Sequence, residues 1–216
     1  DVTLSGQNVS LGSTVDGAYG LTINDGGTTT FGGAIGGVTP LASLTTDADG
    51  SVVLRAGTVR TTGAITFNDD VKLDAPTTLT VTGPMAGVWF GKTVSSLDTT
   101  ARDLTVTVVG GDVHFSSTVG DGNKLGVIGI NSGGETYFGD TVRAVSLTTD
   151  APGTVAMNAG TVTTDGVITL NDAVGLGKAT TLTGQNVTLG STVDGAYSLT
   201  INDGGTTTFG GAIGGV

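Results

Sequence analysis

The chain repeats itself, and this constrains its fold more than any other feature. Thr3 to Val38 returns as Thr181 to Val216, a shift of 178 positions with 33 of 36 residues identical. The exceptions are Ser5/Thr183, Ser10/Thr188 and Gly20/Ser198. Near-identity over that distance marks the recent duplication of a long unit. An older repeat relates residues 44–80 to 147–183 at a shift of 103. Leu44-Thr45-Thr46-Asp47 matches Leu147-Thr148-Thr149-Asp150, and Ala64-Ile65-Thr66-Phe67-Asn68-Asp69 matches Val167-Ile168-Thr169-Leu170-Asn171-Asp172. Upstream, Ile23-Asn24-Asp25-Gly26-Gly27 matches Ile130-Asn131-Ser132-Gly133-Gly134 at a shift of 107, so a four-residue deletion separates the blocks, as a surface turn allows.

A shorter motif runs through both repeats. An apolar residue or Thr, any residue and Phe are followed by three small or polar residues and then Val or Ile. Thr29-Thr30-Phe31 leads to Ile35, Ile65-Thr66-Phe67 to Val71, Val113-His114-Phe115 to Val119, and Thr136-Tyr137-Phe138 to Val142. Leu104-Thr105-Val106-Thr107-Val108 alternates apolar and polar residues, the pattern of a half-buried strand. Seven Asp-Gly pairs, beginning at Asp16, Asp25, Asp49, Asp121, Asp165, Asp194 and Asp203, supply turns.

Composition agrees. The 216 residues include 41 Thr, 26 Val and 39 Gly but only one Glu and two Gln, which leaves little for the exposed face of a helix. These observations predict an all-β chain of short strands and tight bends with a coil of roughly 18–24 residues: a β-solenoid of about ten coils and roughly 50 Å, continuous over 1–216. A sandwich or up-and-down barrel shares the composition but not motifs in register at coil spacing.

Much chemistry is excluded at this stage. A net charge of −11, with eight basic residues scattered singly, argues against nucleic acid as a partner. No apolar run is long enough for a transmembrane segment. The absence of Cys removes thiolate nucleophiles and Cys-type zinc sites, and a single histidine, His114, removes most His-based metal and triad chemistry. Asp69-Asp70 with Lys72, and Asp98 with Arg102-Asp103, are the densest charged spots, but Asp172-Ala173 breaks the first pair in the sister repeat. They read as corner carboxylates. No catalytic residue is assigned, and the chain is not expected to be an enzyme; a polysaccharide-active β-helix enzyme, which would need stacked carboxylates and a Lys or Arg on one long face, is the remote alternative.

Three weaker features remain. Asp25, Asp121 and Asn123 offer oxygen ligands for a weak calcium site, although neither a Gly-Gly-x-Gly-x-Asp nonapeptide nor a Glu-terminated loop is present. Thr78, Thr80, Thr82, Thr105 and Thr107 are candidates for a ligand face of stacked hydroxyls, for which cell-surface glycans are the expected partner; the irregular spacing of such Thr pairs argues against one continuous flat face. Trp89-Phe90 falls where the short repeat is least regular, and is expected in a loop or bulge as an aromatic plug of the core. The sequons Asn8-Val9-Ser10 and Asn186-Val187-Thr188 are copies of one site.

Gly63-Ala64-Ile65-Thr66-Phe67-Asn68-Asp69, Val162-Thr163-Thr164-Asp165-Gly166 and Ala179-Thr180-Thr181-Leu182-Thr183-Gly184 resemble the repeat regions of filamentous-haemagglutinin-like bacterial exoproteins, giant secreted proteins built of β-strand repeats. The resemblance implies a right-handed parallel β-helix in an adhesive or structural fibre at the bacterial cell surface, such as a sheath, adhesin or biofilm matrix. The sequence starts and finishes inside the same repeat. The expectation is therefore a window on a longer array of the 178-residue unit or, alternatively, a subunit that stacks end to end. Either way the principal partner is the chain's own kind.

Overall fold

In strands that alternate apolar residues with Thr, one set of side chains faces inward and the other outward. A short coil cannot bury its inward set alone, so coils stack. In the computed structural model, which describes residues 1–215, the strands pair in parallel with those one coil before and one coil after. The result is a three-sided β-solenoid of about ten coils, with no helix among the described residues.

The first side is a ten-stranded sheet from Val2–Gly6 to Val193–Asp194. One inward ladder climbs it without a break: Val2, Leu21, Leu44, Ile65, Val88, Val113, Thr136, Val155, Val174, Val193. The second side begins as a five-stranded sheet from Ser10–Leu11 to Val94–Ser96, and single bridges carry it from Val94 through Val119 to Val142. The third side starts at Val15 and Ile35 and continues through Thr58–Thr61, Thr77–Val81 and Leu104–Val108. The eight-residue strands Leu125–Ser132 and Val142–Thr149 turn the corner between the second and third sides and merge them into one eleven-stranded sheet.

The buried apolar residues form one cluster that runs up the axis. Its heaviest part is a stack of phenylalanines on the first side. Phe67 and Phe90 lie 5.6 Å apart, Phe90 and Phe115 4.8 Å, and Phe115 and Phe138 5.4 Å between ring centres. Each is fully buried, which stabilises the coil by about 2–3 kcal/mol per ring. Corners impose their own chemistry. Gly120 has φ +76°, and a Cβ there would meet the Arg143 carbonyl oxygen at 2.0 Å, so only glycine fits.

The duplicated segment does not return to the same side. Leu21 lies on the first side, and eight coils further along that ladder comes Val193, but its duplicate, Leu199, pairs with Thr180 one side later. The 178-residue unit therefore spans eight coils and one side. Likewise the 103-residue repeat spans four coils and two sides, moving Leu44 on the first side to Leu147 on the third. Local geometry is nevertheless preserved: Asn8 has φ 60° and Asn186 φ 61°, and their side-chain oxygens accept bonds from Thr28 N (3.1 Å) and Thr206 N (3.0 Å). The module that repeats is thus one side of a coil, and any of the three sides accepts it. The copy of the repeat over 181–216 is described except for Val216, which lies outside the described residues.

Candidate functional site

On the third side, strand pairing places outward-facing threonines directly above one another. Thr58, Thr78, Thr105, Gly129, Thr148, Thr169, Thr188 and Thr208 form a single column over eight coils, interrupted only at Gly129. Thr80 and Thr107 stand side by side in the next column, between Arg60 and Asn131. Thr82 lies just past its strand, where its hydroxyl donates to the Thr61 carbonyl at 3.3 Å. The irregular sequence spacing of these threonines reflects corners of different length, not a broken face. Where Gly129 omits a side chain, a shallow recess of about 290 Å³ opens among Thr105, Thr107, Asn131, Thr148 and Asn171.

The carboxylates are engaged in the fold. Asp25 is buried, and its two oxygens accept from Asn8 N (2.7 Å), Val9 N (2.7 Å), Gly27 N (3.0 Å) and Thr29 Oγ1 (3.0 Å). Burial raises its pKa, but these four donors outweigh it and hold the carboxyl below its ordinary value. They occupy the lone pairs a calcium ion would need. Its duplicate Asp203 accepts from the equivalent groups of Asn186, Val187, Gly205 and Thr207. Asp121 accepts from Gly122 N at 3.0 Å and belongs to a tight turn in which Asn123 N donates to the Asp121 carbonyl. Among the described residues no three carboxylate or imidazole groups converge as a metal site.

The charged spots separate in the same way. Asp70 accepts from Thr93 N at 3.1 Å, while Lys72 is exposed. Asp98 pairs with Arg102 at 3.4 Å, and Arg102 reaches Asp74, which also holds Arg55 at 3.1 Å, tying successive coils at one corner. Asp69 is different. It is 1 % exposed, and its Oδ1 and the Thr46 Oγ1 have no hydrogen-bond partner. Burial pushes its pKa up to about 6; the nearby Thr46 hydroxyl and Lys92 oppose this, and the Asp47 and Asp25 carboxylates add to it. Asp172 and Thr149, their counterparts at the 103-residue shift, repeat the arrangement, and Asp172 is again raised by burial.

The first side carries a feature that the sequence reading missed. Val88–Phe90 is a regular strand, not a loop, and of the aromatic pair only Phe90 enters the core, beside Val88; Trp89 faces outward. The alternation of the pleat decides this, because one of two adjacent strand residues must point away. Strand pairing then stacks Trp89, His114 and Tyr137 in one outward column, with the His114 and Tyr137 rings edge to face at 4.1 Å. Nothing in the linear sequence sets His114 between the other two.

No family model, curated protein or solved structure matches the chain.

Proposed function

We propose that the chain is a structural repeat module of an extracellular bacterial surface fibre, in which it acts as a stiff rod of stacked β-strands. The observation that carries this reading is the unbroken ladder of the first side, ten strands paired in parallel over a continuous apolar core. Bending such a rod strains many backbone hydrogen bonds at once, and its net charge of −11 keeps neighbouring rods apart.

The rod's partner is its own kind. Phe31 and Ile35 are fully buried beneath the next coil, against Leu54 and Val59, so each coil offers its apolar edge to another coil of the same kind, whether from the same polypeptide or a second copy. The deciding experiment is an antibody blot of surface-sheared and cytosolic fractions of the source cells on a denaturing gel. Species of hundreds of kilodaltons in the sheared fraction would support the proposal; confinement to the cytosol would overturn it.

The threonine column favours a second reading, an adhesin that docks a glycan on the third side. Loss of glycan-array binding on Thr78→Ala with Thr105→Ala would support it.

A further inference from the structure

We propose that the outward column Trp89–His114–Tyr137 on the first side, with the recess that follows it, is a binding site for a cationic aminoglycan, a polymer of amino sugars carrying free ammonium groups. Three observations converge on it. First, the two larger rings lie down over glycine. A Cβ on Gly87 would come within 2.9 Å of the Trp89 indole, and one on Gly139 within 2.9 Å of the Tyr137 ring. The Trp89 indole lies back over Gly87 and the Tyr137 ring forward over Gly139, two positions where carbonyl oxygens of the neighbouring coils (Asp112 O and Ser116 O) also leave no room for a Cβ. Both rings therefore rest along the sheet, as stacking on the C–H face of a pyranose requires.

Second, the column continues past Tyr137 as Ala156 and Gly175, which drop away and open a recess of about 310 Å³ bounded by Glu135, Thr154, Thr192 and Asp194. A linear glycan laid along the axis meets a platform and then a trough. The coils rise by about 4.8 Å, close to the length of one sugar ring along its chain, so each coil faces one ring.

Third, the charge selects the sugar. Glu135 is exposed on the strand that carries Tyr137, Asp194, one oxygen of which accepts from Gly215 N at 3.0 Å, closes the far end of the same column with its other oxygen, and no basic residue lines the recess. Ammonium groups gain from these carboxylates and from the faces of Trp89 and Tyr137, whereas a chain of net charge −11 repels an acidic polysaccharide.

Trp89 is the only tryptophan, so its emission reports the site directly. Titration with a fully deacetylated β-1,4-linked glucosamine hexamer in mildly acidic buffer, followed by fluorescence and calorimetry, is expected to give a saturable change in emission with matching heat. Tyr137→Ala and the double variant Glu135→Gln/Asp194→Asn should each weaken binding about tenfold or more. Thr163→Ala, on the second side, should leave it unchanged. Circular dichroism and thermal unfolding confirm that the variants fold. The proposal is overturned if the hexamer gives no saturable response, or if the fully N-acetylated hexamer binds equally well, which would make the ligand a neutral glycan. It is also overturned if sedimentation shows self-association that Trp89→Ala abolishes, which would give the face to a second copy.

Discussion

Replacing Asp69 by asparagine should stabilise the rod in neutral and alkaline solution but not in acid. The carboxyl is buried with one oxygen unpartnered, and its pKa is raised from 3.8 to about 6. Between those values the folded chain holds a proton that the unfolded chain has released, so stability falls as pH rises through this window. At about 1.36 kcal/mol per pH unit, the full cost of ionising Asp69 in place is about 3 kcal/mol. Asparagine keeps the shape and carries no charge, so Asp69→Asn should gain up to about 3 kcal/mol at alkaline pH. The gain should shrink toward zero at pH values below 3.8, where the acid is protonated in both states. Urea denaturation followed by Trp89 fluorescence, with variant and parent compared across that range, cancels the titrations the two chains share. A stability difference independent of pH, or a variant less stable than its parent at alkaline pH, would refute the reasoning.

Asp25→Ala removes the acceptor for four donors at a buried corner and should cost about 2–4 kcal/mol by urea denaturation. Because the Asp25 pKa is lowered, its contribution should be present above the ordinary carboxylate range and fade as pH falls through the folded value, the reverse of Asp69. Phe90→Ala opens the aromatic stack between Phe67 and Phe115 and should cost about 3–5 kcal/mol by the same measurement. Gly129→Thr completes the threonine column where an added Cβ meets nothing within 4 Å; it should be neutral or stabilising by about 0.5 kcal/mol, read as the shift in urea midpoint.

The corner acids show how far residue types can be read before their partners are known. Asp25 and Asp203 are identical in sequence context, and both accept from the same set of donors, so duplication alone predicts a shared role. That the role is to cap a turn, leaving no lone pairs for a cation, depends on donors from the preceding coil. Asn8 and Val9 lie 17 and 16 residues from Asp25, a separation that only coil closure brings to hydrogen-bonding distance. Asp69 and Asp70 were legible as a pair, yet the pleat sends one carboxylate into the corner and the other outward to Thr93.

By itself the sequence determined that the chain is all-β, that its strands are short and amphipathic, and that they stack as repeating coils. Alternation of apolar residues with Thr and the Asp-Gly turns are local properties, and the physics of burying one strand face follows from them. Only the tertiary structure decided which module lies on which side. Coil length varies from 19 residues between Val2 and Leu21 to 25 between Val88 and Val113, because corners absorb insertions at little cost. Each side offers the same environment, core on one face and paired strands above and below, so one module fits all three and a repeat in sequence need not be a repeat in angle. The threonine column and the Trp89–His114–Tyr137 column exist for the same reason: residues become neighbours when coils of unequal length close in register, and pairing between coils, not spacing along the chain, sets that register.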